Sequence, residues 1–173
     1  MVQRKYGDDF KVGDRFHTGR ITVTGTHVVN WAGLTGDFYP LHMDRVYAEA
    51  TQFGERLAHG PLIFALAVGL VAQSGMGDDA VIAWLGVDNM RMRAPVKIDD
   101  TITVTVEVSS QEVTSNPKKG VQTWRYSVQN QHDETVMTFE SMCTPSAKRM
   151  TATTYGTSPA NAEGALDCTS VQL

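Results

Sequence analysis

The sequence predicts an α+β fold in which a curved antiparallel β-sheet wraps around a central, buried α-helix. The first observation is the segment Gly60–Ser74, which is apolar on every face and therefore predicts a helix that is buried all round. The second is that strand-like segments follow this helix one after another, as in an antiparallel meander. A helix without a polar face needs a sheet around it, which is why the two observations combine into one architecture.

Local signals define the elements that precede this helix. Arg15–Thr24 alternates β-branched with polar residues and predicts the opening strand. Thr24 is a suitable N-cap for a short helix whose apolar residues fall at helical spacing, namely Val28, Trp31, Ala32 and Leu34. Gly36 is placed to end that helix. A second short helix is expected over Asp44–Thr51.

The segment between these two helices carries the first candidate chemistry. Gly36 and Pro40 interrupt any continuous helix, so a turn or loop is expected here. A short rigid loop can bring Asp37 and His42 to one point, and a carboxylate and an imidazole aimed at one water form a minimal acid–base device. The alternative is that the Asp caps the next helix and the His is a surface residue.

Four segments after the apolar helix predict strands: Ala80–Arg93, Thr101–Val108, Val121–Asn130 and Glu134–Cys143. Thr101–Val108 alternates Ile and Val strictly with Thr and Glu, which indicates one face on a core and one toward water. Residues 116–120 form a turn by composition. A sheet of this kind around one helix has the form of a hotdog fold, whose open edge usually pairs with a second copy.

Composition limits the class of protein. With 173 residues, 42% hydrophobic and 20% charged, the chain is an ordinary globular protein. Residues 1–149 are expected to form a single domain, and 150–173 a polar, loosely ordered tail. The net charge of −4 and the lack of a long basic block argue against a nucleic-acid partner.

The sequence contains no clear targeting segment and no cysteine pattern typical of a disulfide framework or a metal site. The N-terminal residues lack the apolar core of a signal peptide, and no apolar run reaches the ~20 residues of a membrane span. Cys143 and Cys168 have no metal-ligand spacing, and Cys143 is expected to be a buried thiol. These features predict a cytoplasmic protein without a membrane partner.

Several ordered motifs resemble those of the MaoC-like dehydratase family, over about Val12 to Ser146. The matching segments are Gly36–Asp44, Ala48–Phe53, Ala58–Gly60 and Arg93–Asp100. The simplest members of this family are (R)-specific enoyl-CoA hydratases. The resemblance implies a hotdog fold and the reversible hydration of an enoyl-CoA to a 3-hydroxyacyl-CoA. It implies no separate cofactor, because the CoA thioester is itself the substrate.

Carried over position by position, the resemblance implies that Asp37 and His42 are the catalytic pair and Gly60 the main-chain N–H donor to the thioester oxygen. Hydration needs an activated water at Cβ, a proton at Cα and stabilisation of charge on that oxygen. The N–H groups of a first helical turn are unpaired and lie at the positive end of the helix dipole. Pro61 has no N–H, which leaves Gly60 as the natural donor.

Two positions depart from the family pattern and bear on the acyl group. Tyr39 stands where the family usually has Asn, and Val68 stands where the simple hydratases have a Ser in the central helix. Neither change removes the acid or the base, but both alter the pocket. A branched or dicarboxylic acyl group is therefore a hypothesis, in which Tyr39 faces the substrate; the alternative is that Tyr39 only packs.

The remaining candidates concern CoA binding and assembly. Arg91, Arg93 and Lys97 are candidates to contact the CoA phosphates near a subunit boundary, in a homodimer or a dimer of dimers. His59 is expected to fix a loop. A metal site from Asp37, His42 and Asp44 lacks the usual ligand spacing, so no metal is expected.

Other interpretations stay open at this point. The three tryptophans, Trp31, Trp84 and Trp124, are expected to pack in the core. A hotdog acyl-CoA thioesterase and a non-catalytic acyl-CoA-binding module are the two alternative functions.

Overall fold

The computed structural model of the chain describes residues 6–75, 80–112 and 120–146. In chain order the elements are a 3-10 turn (Gly7–Asp9), β1 (Arg15–Thr22), α1 (Gly25–Thr35), α2 (Pro40–Met43), α3 (Arg45–Glu49), α4 (Gly60–Gln73), β2 (Val81–Met92), β3 (Thr101–Glu112), β4 (Val121–Gln129) and β5 (Thr135–Pro145).

The strands form one antiparallel sheet in the order β1–β3–β4–β5–β2. Strands β3, β4 and β5 make a meander, whereas β2 lies at the far edge beside β5 although it precedes β3 in the chain. Helices α1 to α4 all belong to the connection between β1 and β2. A five-stranded antiparallel sheet with one long helix against it is the hotdog arrangement, so the predicted fold class is confirmed.

The inner face of the sheet carries the core. Ile102, Val104, Val106 and Val108 of β3 are fully buried while the intervening residues are only partly covered, as the alternation of this strand predicted. Each strand expected from the sequence is present, and β3 extends to Glu112. The buried side chains of α4 meet this face in one apolar cluster that also contains Trp124 and Phe139.

Helix α4 is only half buried, which corrects the expectation that it is buried all round. Leu62, Ile63, Ala67, Leu70 and Val71 face the core. The opposite side is exposed at Pro61, Ala65, Val68 and Ala72. The physical reason is that the sheet of one chain covers one side of the helix. Its remaining apolar side has no cover within the described residues of this chain.

Trp84 is a second correction. It lies on the edge strand β2 with 60% of its surface exposed, and its indole N–H donates to Ser141 Oγ at 3.0 Å. Trp124 is buried as expected, and Trp31 is partly buried against the core. Periodicity placed all three in the core, but it does not reveal that β2 crosses to an uncovered edge.

The capping signals are confirmed. Thr24 is the N-cap of α1, and Gly36 ends the helix with a left-handed φ of 79°. That conformation favours glycine because a Cβ would be strained there. Asp44 caps α3 by accepting the Tyr47 N–H at 3.1 Å.

Some expectations lie outside the described residues: residues 116–119 of the turn predicted over 116–120, the tail over 150–173, and Cys168. Cys143 is buried, as expected, and burial raises the pKa of its thiol to about 11. Among the helices described, none is long and apolar enough to cross a membrane. The cytoplasmic location stays a prediction.

Candidate active site

Asp37 lies in the loop that leaves α1. Its N–H donates to Thr35 Oγ1 and its Oδ1 accepts the Tyr39 N–H, both at 3.3 Å. These bonds close a tight turn in which the carboxylate caps its own loop. The side chain keeps 50% of its surface exposed. Its Oδ2 is therefore free to face water or a ligand.

His42 lies in the short helix α2, not in a continuous loop as expected from the sequence. Pro40 is the first residue of α2, a position where a missing N–H costs nothing and the fixed φ favours a helical turn. His42 Nδ1 lies 2.9 Å from the Leu57 carbonyl oxygen. Since a carbonyl can only accept, Nδ1 carries the proton and Nε2 presents its lone pair.

The environment of His42 favours the neutral ring. Burial lowers its pKa most, and the neighbouring His59 lowers it further. The hydrogen bond to Leu57 and the charge of Asp37 act in the opposite direction, but the pKa stays below its ordinary value of 6.5. At neutral pH this imidazole is therefore a base with a free Nε2 lone pair.

His59 completes the cluster. It is the N-cap residue of α4 and is only 1% exposed. Its Nε2 lies 3.0 Å from the Asp37 main-chain oxygen and 3.9 Å from Asp37 Oδ2. Its ring lies 3.9 Å from the ring of His42, centroid to centroid, with 33° between the planes. An anchor to the Asp37 loop fits the role expected from the sequence.

One ligand atom from each of Asp37, His42 and His59 lies within 4.8 Å of the others. Such a group could in principle hold a metal. One nitrogen of each imidazole, however, already faces a main-chain oxygen, His42 Nδ1 that of Leu57 and His59 Nε2 that of Asp37. The third residue weighed from the sequence, Asp44, caps α3 instead. The arrangement suits acid–base chemistry better than metal binding.

Gly60 is the first residue of α4 and follows His59 directly. Its N–H has no acceptor among the described residues, as expected for the first turn of a helix. The residue borders a cavity of about 130 Å³. A Cβ at this position would lie 3.0 Å from Met92 Cε, so glycine lets the Met92 side chain pack closely against the start of α4.

Tyr39 stands beside the acid–base group at the surface. Its ring meets the His42 ring edge-on, with 6.0 Å between centroids. Its hydroxyl lies 3.4 Å from the hydroxyl of Tyr47, and both side chains are exposed. The phenol is therefore available at the edge of the site instead of packing in the core.

Val68 is one wall of a larger cavity of about 530 Å³ between α4 and the sheet. The other walls are Phe64, Ala65, Val71, Ala72, Val81, Trp84, Trp124, Tyr126, Ser141 and Cys143. Most of these side chains are apolar, so the cavity suits a hydrocarbon group. Trp84 and Trp124 were expected only to pack; their part in this cavity had no signal in the sequence because it depends on the pairing of β2 with β5.

Among the described residues, no polar contact joins Arg91, Arg93 or Lys97 to Asp37, His42 or His59. Arg91 is exposed on β2 and donates to its neighbour's carbonyl oxygen, that of Met90, at 2.8 Å. Arg93 is exposed just after β2. Lys97 Nζ pairs with Glu55 Oε1 at 2.7 Å, and this hydrogen bond raises the pKa of the amine.

Comparison with known proteins gives a consistent picture. Residues 9–130 match the family described as "MaoC like domain". Over 101 residues the chain is 42% identical to Protein MaoC of Klebsiella aerogenes, in a match that covers 58% of this chain but 30% of that protein. Over 104 residues it is 31% identical to an (R)-specific enoyl-CoA hydratase of Rhodospirillum rubrum, covering 60% of this chain and 69% of that enzyme.

A solved structure agrees with the fold. The structure of a monoamine oxidase regulatory protein from Archaeoglobus fulgidus superposes with a TM-score of 0.76 at 34% identity. The match covers 83% of this chain and 95% of that one. The family match spans the candidate acid–base group and most of the sheet. The chain therefore belongs to the MaoC-like dehydratase family.

Proposed function

We propose that the protein catalyses the reversible hydration of an α,β-unsaturated acyl-CoA to a 3-hydroxyacyl-CoA. The observation that supports this most is that the Asp37 carboxylate and the His42 imidazole lie together, with an oxygen of one and a ring nitrogen of the other within 4.8 Å. Both residues contact His59, the N-cap of α4. The similarity to the Rhodospirillum rubrum protein named an (R)-specific enoyl-CoA hydratase supports the same reaction.

In the hydration direction, one water lies between the Asp37 carboxylate and His42 Nε2. His42 takes a proton as the water oxygen bonds to Cβ, and Asp37 orients the water by accepting its other hydrogen. The electron pair of the Cα=Cβ bond moves toward Cα and the thioester oxygen. The enolate then takes back the proton at Cα, so the elements of one water are added. Dehydration follows the same steps in reverse.

Gly60 is the proposed donor to the thioester oxygen. Negative charge grows on this oxygen in the transition state. The proposal is supported by an N–H at the positive end of the α4 dipole that has no acceptor among the described residues. One preorganised donor of this type contributes about 3 kcal/mol. The proposed reaction needs no further cofactor, because the thioester itself supplies the electron sink.

The CoA moiety is proposed to be held through its phosphates. Arg91 and Arg93 are exposed cations on and just after the edge strand β2. Lys97 is placed nearby in the sequence but is already neutralised by Glu55, so its contribution is expected to be smaller. These contacts with the phosphates would form when the substrate binds, before the chemical step, so they would lower KM without raising kcat.

The acyl group is the finer part of the proposal. The cavity walled by Val68 favours an apolar chain. Near the acid–base group, the hydroxyls of Tyr39 and Tyr47 offer donors that a second carboxylate on the substrate would use. A branched or dicarboxylic acyl group fits both surfaces, with its apolar part against α4 and a polar group at Tyr39.

We propose that the chain acts as a homodimer, or as a dimer of dimers, joined along β2. This strand is an edge of the sheet and exposes Ile82, Trp84 and Leu85. Exposed apolar edge strands are usually paired or covered. The exposed side of α4, with Val68 at 39% exposure, lies across the large cavity from β2 and needs the same cover.

One pair of assays tests the function. Loss of the conjugated thioester from an enoyl-CoA is followed beside release of free thiol, for the wild type and for Asp37→Asn. Hydration without thiol release, abolished in the variant, is the expected result. Thiol release would instead indicate the thioesterase, and binding of acyl-CoA without either reaction would indicate a non-catalytic module.

A further inference from the structure

His59 has features that loop fixing alone does not explain. It is 1% exposed, yet it is an ionisable side chain at the N-terminus of α4. Its Nδ1 is buried without a hydrogen-bond partner among the described residues. Buried polar atoms are nearly always paired, so an unpaired one at a candidate active site calls for a reason.

The hydrogen bond of His59 shows which of its ring nitrogens is the donor. Nε2 lies 3.0 Å from the main-chain oxygen of Asp37, and a carbonyl oxygen can only accept. Nε2 therefore carries the proton. The ring therefore donates through Nε2, and at 1% exposure it is too deeply buried to touch a substrate.

The contacts of His59 join three separate parts of the site. The hydrogen bond holds the loop that carries Asp37. The ring face lies against the ring of His42 on α2, 3.9 Å between centroids. The residue itself is the N-cap of α4, so the next residue in the chain is Gly60. One side chain thus touches the candidate acid and base and precedes the candidate oxyanion donor.

We infer that His59 is a positioning residue, whose buried imidazole holds Asp37 and His42 in the relative placement that lets both act on one water. The inference rests on the hydratase function proposed above. Its physical basis is that displacement of a reacting group by about 1 Å costs on the order of 100-fold in rate. Among the described residues, no hydrogen bond or ring contact other than those of His59 joins Asp37 or His42 to the start of α4.

Two replacements separate the two contacts. His59→Phe keeps a planar ring against His42 but removes the donor to the Asp37 carbonyl. His59→Gln keeps an N–H near the place of Nε2 but removes the aromatic face. We expect His59→Phe to lower kcat by about 100-fold with little change in KM. We expect His59→Gln to restore part of that loss, because the hydrogen bond to Asp37 is regained.

Thermal unfolding of both variants shows whether the fold is retained. A purely structural role predicts lower stability and less active protein, with the kcat of the folded fraction unchanged. A folded His59→Phe protein with the kcat of the wild type would overturn the inference. So would an equal loss of kcat/KM in both variants that comes from a higher KM.

The wild type offers a test that needs no variant and no turnover. Nitrogen-15 NMR of the imidazole distinguishes the two neutral tautomers and the charged ring. We expect Nε2 of His59 to carry a proton, because its hydrogen bond to the Asp37 carbonyl oxygen requires a donor. A ring whose only proton is on Nδ1, which leaves Nε2 unable to donate, would overturn the inference. A wild type that shows the proton on Nε2 but hydrates no enoyl-CoA would instead contradict the proposed function.

Discussion

At the scale of single residues, the hydrogen bond from His42 to the Leu57 carbonyl decides how the site can work. It leaves the lone pair of Nε2 available, while the turn around Asp37 uses Oδ1 and leaves Oδ2 without a hydrogen bond among the described residues. The two groups are then expected to serve one water together. Their contributions to catalysis should therefore depend on each other.

Asp37→Asn and His42→Ala are each expected to lower kcat by about 10²–10⁴-fold, the range for one acid–base group. Because both act on one water, the double variant should be little worse than the poorer single variant. Steady-state kinetics on an enoyl-CoA, with unfolding curves as the control for fold, measures this. A double variant as poor as the product of the two singles would contradict the shared water.

The pH dependence follows from the same imidazole. Burial lowers the pKa of His42 below 6.5, so the base stays neutral to lower pH than an exposed His does. In the hydration direction, the acidic limb of kcat/KM should therefore lie below pH 6.5.

Asp37 supplies an internal control for this limb. Its negative charge raises the pKa of His42, so the residual activity of Asp37→Asn should have its acidic limb at lower pH than the wild type. A limb that moves to higher pH in this variant, or lies above pH 6.5 in the wild type, contradicts His42 as the base.

Tyr39 tests the choice of acyl group. If its phenol meets the substrate, Tyr39→Asn should shift the ratio of kcat/KM between crotonyl-CoA and a methyl-branched dicarboxylic enoyl-CoA by about 1–3 kcal/mol, in favour of crotonyl-CoA. Tyr39→Phe is the matched control, since it removes only the hydroxyl. An unchanged ratio in both variants would mean that Tyr39 makes no contact with the acyl group.

At the scale of elements, the N-terminus of α4 is the feature on which the oxyanion proposal depends. Gly60→Pro removes the N–H at a position where a helix tolerates proline, and the extended backbone of His59 is compatible with a following proline. Gly60→Ala is the matched control, because it adds a Cβ against Met92 but keeps the N–H. Relative to Gly60→Ala, Gly60→Pro should lose about 10²–10³-fold in kcat. Equal kcat values in the two would exclude this N–H as the donor.

The elements also show what a sequence can and cannot predict here. The limits of α1 were predictable because Thr24 and Gly36 act through their own backbone neighbours. The strict alternation of β3 likewise predicted that its Ile and Val side chains face the core. By contrast, the sequence predicts that Pro40 interrupts a helix, whereas in the structure Pro40 is the first residue of the short helix α2.

The remaining differences come from contacts between distant parts of the chain. The exposure of Trp84 depends on β2 crossing to the outer edge, which no local pattern encodes. Asp37 and His42 were predictable as a pair because they belong to one sequence motif. The contacts of His59 with both residues were not predictable, because they depend on the packing of the start of α4 beside the loop between α1 and α2.

At the scale of the whole molecule, the uncovered edge of the sheet predicts the assembly. The protein should sediment as a dimer or larger at micromolar concentration, and Ile82→Lys on β2 should shift it toward monomer, since a charge opposes edge pairing. Leu34→Lys is the control, because Leu34 is 80% exposed on α1, which is not a strand of the sheet. A wild type that stays monomeric, or equal effects of the two substitutions, would contradict pairing through β2.

The topology has a consequence for how such a protein can change over evolutionary time. All the groups proposed to touch the reacting atoms, Asp37, His42 and Gly60, come from the single connection between β1 and β2. The ladder of β3, β4 and β5 contributes support and none of these groups. The residues proposed to act on the substrate and the strands of the meander therefore come from separate segments of the chain. New chemistry can arise by mutation of one short stretch, while the strands that hold the protein together remain under their own selection.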